Sequence, residues 1–221
     1  MTLLTATLER SAITGLILTG GAGRRVGGQD KGWLAPSAKH GACSQPLIIQ
    51  TLERLVPQVG HILVSANRHL AEYATLGYPV IPDIENRDHD KATPAYLGPM
   101  AGLFSVCVSA SEHWHTDWLC IVAVDSPNFP KDLVHRLSQT IATGTAATYA
   151  TCAGNHFYTF GLFNRQAIPT LQGLYEQQSR SLRGFWQAIG AKTTDFDVSD
   201  WQNLNTLEAH WGPDVEPQTK A

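Results

Sequence analysis

Hydrophobic and polar positions fall into blocks along this chain, and their lengths and flanking residues separate strands from helices. Residues 13–19 (Ile-Thr-Gly-Leu-Ile-Leu-Thr) form a short apolar run stopped by Gly20-Gly21, which predicts a buried strand entering a tight loop that extends to about Gly32. Pro46 opens a helical pattern with Ile48, Leu52 and Leu55 on one stripe, and residues 61–65 predict a second strand. The same reading gives a short helix over 70–76, a third strand over 78–82, a helix over 99–110 and a fourth strand over 118–123. Beyond Asp125, a helix is expected over 131–143. Two strand-like runs follow at 146–151 and 158–163, close enough together to suggest an antiparallel addition.

Strands alternating with helices imply βαβ crossovers, so the expected fold is α/β: one domain of three α/β/α layers around a Rossmann-like, mainly parallel sheet, with an antiparallel addition in the C-terminal half. In such a sheet, ligands bind beyond the carboxyl ends of the strands. The expected domain covers residues 1–211, and the polar, proline-containing segment 212–221 reads as a flexible tail. A length of 221 residues suits one large core. With 43% hydrophobic and 16% charged residues the composition is that of a globular protein.

Charge and cysteine usage narrow the function classes. A net charge of -3 supplies no footprint for nucleic acid, so any anion site must be local. No stretch approaches the roughly 18 apolar residues of a membrane span, and residues 1–11 lack a secretory pattern, so a cytoplasmic location is expected. Cys43, Cys107, Cys120 and Cys152 are widely spread and form no C-x-x-C pair, which predicts free or buried thiols. His113-Trp114-His115 has no Cys or acid neighbours and reads as a loop rather than a metal site. The six tryptophans scatter without basic interleaving, as core or ligand-facing residues rather than a nucleic-acid platform.

The segment from Leu18 to Lys31, L-T-G-G-A-G-R-R-V-G-G-Q-D-K, follows the first strand and combines five glycines with three cations. Glycines allow the backbone to approach phosphates and turn its N–H groups inward, and Arg and Lys neutralise the charge there. A Walker loop is excluded because Asp30-Lys31-Gly32 lacks the preceding Gly and following hydroxyl. A dinucleotide fingerprint is excluded because Gly21-Ala22-Gly23-Arg24-Arg25 is followed by Val26, and residues 32–52 contain no acid for a ribose. Asp125 directly follows the apolar run 119–124, so its carboxylate is expected at a strand's carboxyl end, where a hard cation bridging phosphates can be held.

This glycine-rich segment resembles the signature L-A-G-G-x-x-x-R-M-G-x-D-K of the nucleotidyltransferases that attach guanosine to molybdopterin. The resemblance continues through Val64-Ser65-Ala66-Asn67-Arg68, Pro82-Asp83, Leu97-Gly98-Pro99-Met100-Ala101-Gly102-Leu103, Val124-Asp125-Ser126-Pro127 and Asn203-Leu204-Asn205-Thr206. It implies transfer of GMP from GTP to the molybdopterin form of the molybdenum cofactor, with Mg²⁺ as the metal. Residues 13–127 would bind the nucleotide and 128–211 mainly the acceptor. Leu18, Thr19, Gly20 and Gly21 would contact the nucleotide, Lys31 and Arg25 the phosphates, Asp83 the nucleotide, and Asp125 both nucleotide and Mg²⁺. Ser65 would close the base pocket, and Gly98, Asn203 and Asn205 would face the acceptor. Cofactor-supplying proteins or molybdoenzyme apoproteins are the implied protein partners.

Ser65 stands where the family usually has Asn, Ser44-Gln45-Pro46-Leu47 replaces Gly-Lys-Pro-Leu, Asn155-His156-Phe157-Tyr158 replaces a His-Pro, and the loop 84–96 is longer. A related cytidylyltransferase or sugar-phosphate nucleotidyltransferase, or a carrier that binds pterin or nucleotide without turnover, is the alternative.

Overall fold

A computed structural model describes residues 8–19, 29–35, 45–84, 97–109, 113–142, 144–199 and 201. Strand β1 (Ile13–Leu18) is buried along its whole length. Ile13 and Ile17 face one helical layer and Leu16 and Leu18 the other, because successive strand side chains point to opposite faces. The largely apolar run thus reflects a central strand covered on both sides. Strands β2 (His61–Ser65) and β4 (Trp118–Ala123) flank β1 in parallel, and β3 (Val80–Ile81) continues the sheet beyond β2.

The C-terminal half adds β5 (Ala147–Cys152) and β6 (Asn155–Asn164), with β6 antiparallel to both β4 and β5, and β7 (Lys192–Phe196) parallel to β5. The resulting order is β3-β2-β1-β4-β6-β5-β7. Helices α1 (Leu47–Leu55) and α4 (Leu133–Ile141) bury their apolar stripes on one face, in a core with Ile17, Val64 and Val122. Helices α3 (Pro99–Ser109), α5 (Ile168–Glu176) and α6 (Leu182–Ala188) cover the other. The expected three-layer, mainly parallel sheet with an antiparallel C-terminal addition is what the chain forms.

Several boundaries differ for physical reasons. The strand expected over 78–82 shrinks to Val80–Ile81, since Pro79 and Pro82 bracket it and proline cannot donate to a ladder. The run 158–163 is the inner part of a longer β6, which turns from β5 through Ala153 and Gly154, both with positive φ (47° and 77°), as a two-residue hairpin of type I′ requires. Tyr149 pairs with Gly161 but Ala150 with Phe157, so residues 158–160 bulge out of the ladder. Helices α5 and α6 and strand β7 were not anticipated. Leu171 with Tyr175, and Leu182 with Phe185 and Trp186, carry helical spacing and are buried, whereas β7 buries only Thr194 and Phe196 and has no apolar run to announce it.

Of the predicted thiols, Cys107 and Cys120 are free, Cys152 is buried, and burial pushes the Cys120 thiol up to about 12. Cys43 and the tail 212–221 lie outside the described residues. His113 and His115 are exposed on either side of a buried Trp114. Among the described residues no helix is long and apolar enough to cross a membrane.

Candidate functional site

The chain lays down β1, β2 and β3 in one direction and then places β4 on the other side of β1. A reversal of this kind opens a crevice at the carboxyl ends of the two central strands. The 3-10 turn Lys31–Trp33, on the stretch between β1 and α1, and the segment after β4 border that crevice. Lys31 from the first and Asp125 from the second meet across it, Nζ donating to Oδ2 at 3.1 Å. Their side chains keep 33% and 44% of their exposure, and an exposed pair of this kind is worth only about 0–1 kcal/mol. Both groups can therefore be turned toward an anion and a cation at little cost.

Local structure aims Lys31. The Asp30 carboxylate accepts from the Gly32 N–H at 2.9 Å and caps a 3-10 turn over Lys31–Trp33. Asp125 is braced from behind: Arg54 on α1 donates to the Phe129 carbonyl (2.8 Å) and to Asn128 Oδ1 (3.3 Å). Gln58 accepts from the Val134 N–H at 2.9 Å. The loop that carries Asp125 is thereby stitched to the helix that follows the glycine-rich segment.

The other expected residues that the structure describes lie along the same edge. The Leu18 carbonyl accepts from the Val124 N–H (3.1 Å), and Thr19 donates its N–H (3.0 Å) and its hydroxyl (2.7 Å) to the Ser65 carbonyl. The Thr19 N–H is spent inside the sheet. Ser65 is buried, with its hydroxyl packed where a Cβ on Gly102 would come within 2.4 Å. That close approach seats α3 on the ends of β1 and β2 and brings Gly98, one turn earlier, to the same edge. Gly98 has φ +85° with open space around it, so the backbone rather than crowding requires glycine there.

Asp83 follows β3 and is buried. Asn67, just beyond β2, grips it twice: its amide donates to Asp83 Oδ2 at 2.8 Å, and its carbonyl oxygen accepts from the Asp83 N–H at 2.8 Å. Leu18, Thr19, Lys31, Ser65, Asp83, Gly98 and Asp125 thus share one edge of the sheet. Gly20, Gly21, Arg24, Arg25, Asn203 and Asn205 lie outside the described residues. Asn67, Asp30 and Tyr73, whose hydroxyl donates to Asp30 Oδ1, had no role assigned from the sequence. Asn67 and Asp30 lie inside stretches that carry the family resemblance, whereas Tyr73 lies in none.

Residues 15–193 match the family model described as the MobA-like NTP transferase domain. The chain belongs to this family. As an NTP transferase it is similar to the molybdenum cofactor guanylyltransferase of Serratia proteamaculans (strain 568), 34% identical over 198 residues that cover 89% of this chain and 91% of the relative. It is also similar to the molybdenum cofactor guanylyltransferase of Bordetella petrii, 35% identical over 207 residues covering 90% and 96%. Among solved structures, molybdopterin-guanine dinucleotide biosynthesis protein A of Archaeoglobus fulgidus superposes with a TM-score of 0.60 at 17% identity, covering 90% of both chains. The mixed sheet around β1 is therefore a fold that this chain shares with that protein.

Among the described residues no group of three or more His, Cys, Asp or Glu side chains is gathered that could hold a metal ion unaided. A single, half-exposed carboxylate at Asp125 suits Mg²⁺, which is commonly held by one or two carboxylates plus the phosphates of its substrate.

Proposed function

We propose that this chain transfers GMP from GTP to the molybdopterin form of the molybdenum cofactor, giving molybdopterin guanine dinucleotide and pyrophosphate. The observation that carries the reading is the meeting of Lys31 and Asp125 across the crevice, in a chain of the NTP transferase family whose full-length relatives are guanylyltransferases.

The terminal phosphate oxygen of the pterin attacks the α-phosphorus of GTP, a phosphoanhydride bond forms, and the bond to pyrophosphate breaks. The attacking oxygen is already anionic, so no side chain has to remove a proton. Lys31 leaves Asp125 for the phosphates and stabilises the charge that develops on them. Mg²⁺, held by Asp125 and the triphosphate, supplies further charge neutralisation when bound. The Asn67 clamp holds Asp83 at the neighbouring strand end for the nucleotide, and Leu18, Thr19 and Ser65 form the floor of the base pocket through their close packing. Gly20, Gly21 and Arg25 cradle the triphosphate, and Gly98, Asn203 and Asn205 face the pterin. A cofactor-supplying protein or a molybdoenzyme apoprotein delivers or takes up the pterin.

The test is to incubate the protein with molybdopterin, Mg²⁺ and GTP and analyse the products by mass. Guanylated pterin with equimolar pyrophosphate supports the reading. GTP binding without either product would establish a carrier instead.

A further inference from the structure

Helix α2 (Leu70–Ala74) is short, and four of its five residues are exposed. Its fifth, Tyr73, is fully buried. The Tyr73 hydroxyl donates to Asp30 Oδ1 at 2.8 Å, the same oxygen that accepts the Gly32 N–H. Trp33 packs against the Tyr73 ring, with centroids 5.1 Å apart. Gly32 lacks the Cβ that would stand 2.1 Å from the Tyr73 hydroxyl oxygen, so the turn is built around that oxygen. Packing alone does not call for this: a buried hydroxyl is costly unless it is hydrogen-bonded, and phenylalanine would fill the ring's volume. Burial, and then the charge of Asp30, hold the phenol well above its ordinary pKa, so it remains a donor.

We propose that Tyr73 is a positioning residue that acts through Asp30 to aim Lys31 at the phosphates. It fixes the carboxylate that caps the turn, and the turn starts with Lys31. This inference rests on the reading of Lys31 as a phosphate-contacting group.

The experiment is a double-mutant cycle of Tyr73→Phe and Lys31→Ala, with kcat and KM for GTP measured well below the melting temperature of each variant. Tyr73→Phe should lower kcat about ten- to a hundredfold, as misplacement of a charge-stabilising group does, while KM for GTP stays within about twofold. In the Lys31→Ala background the same change should have no further effect on kcat. Asp30→Ala should reproduce the Tyr73→Phe kcat loss, and the Tyr73→Phe/Asp30→Ala double variant should be no worse than either. If Lys31→Ala keeps the wild-type kcat, the reading of Lys31 fails. If Lys31→Ala loses activity but Tyr73→Phe costs the same factor in both backgrounds, Tyr73 does not act through Lys31 and this inference alone is overturned. A Tyr73→Phe variant with unchanged kcat overturns it as well. If Lys31→Ala turns over too slowly to measure, the Tyr73–Asp30 pair decides, and additive losses there refute the coupling.

Discussion

Replacing Asn67 by Ala removes two hydrogen bonds to Asp83, the one from its amide to Oδ2 and the one from the Asp83 N–H to its carbonyl oxygen. Asp83 is only 3% exposed, so water does not freely replace them. A bond to a charged group is worth about 1.5–3 kcal/mol and a neutral one about 0.5–1.5, which together give a loss of about 2–4 kcal/mol. At about 2–4 °C per kcal/mol for a chain of this size, the melting temperature should fall by roughly 5–15 °C. GTP affinity should fall too, because Asp83 is held less firmly at the strand end. Guanidinium unfolding gives the first quantity, and calorimetry on fully folded protein at low temperature gives the second. Adding Asp83→Asn separates the pair from its surroundings: the two changes should be strongly non-additive. An Asn67→Ala protein with wild-type midpoint and wild-type GTP affinity would refute the clamp.

Asp125→Ala should abolish turnover while shifting the melting temperature little, because the ion pair it loses is exposed and worth about 0–1 kcal/mol; a large loss of stability, or wild-type turnover at limiting Mg²⁺, would contradict this. Gly161→Ala places a methyl 2.7 Å from the Trp186 ring and 2.8 Å from the Thr148 carbonyl, and should cost about 1–3 kcal/mol in denaturant unfolding through overpacking. Gln58→Ala removes the side-chain acceptor of the Val134 N–H at the start of α4 and a donor to the Arg54 carbonyl, and should cost about 0.5–2 kcal/mol, as the loss of a helix cap does.

The central strands could be read from the chain because burial on both faces leaves little room for polar alternation: β4 is apolar throughout, and β1 and β2 are apolar apart from Thr14, Gly15, His61 and Ser65. The glycine-rich segment was equally plain, since its composition answers to phosphate chemistry whatever the surrounding fold. That Lys31 would meet Asp125 was not readable from spacing, because 94 residues separate them and their meeting depends on β4 choosing β1 as its neighbour. Asn67 and Tyr73 escaped for a related reason. An asparagine after a strand fits any turn, and a tyrosine on a short helix fits any core, so only their partners Asp83 and Asp30 distinguish them. The edge strand β7 was hidden because Lys192 and Asp195 face solvent and Thr193 breaks the apolar pattern.

Guanine presents N1–H and 2-amino donors beside an O6 acceptor, whereas adenine reverses the first and third of these roles and lacks the second. A pocket floored by the ends of β1 and β2 should discriminate at about 1–3 kcal/mol for each buried polar group that the wrong base leaves unpaired. Competition kinetics with GTP, ATP and CTP on one preparation of molybdopterin measure this directly. The account predicts a kcat/KM for GTP at least about tenfold above that for ATP or CTP, with the preference unchanged by added salt because all three share the triphosphate contacts. Equal kcat/KM for GTP and ATP, or a preference for CTP, would contradict it.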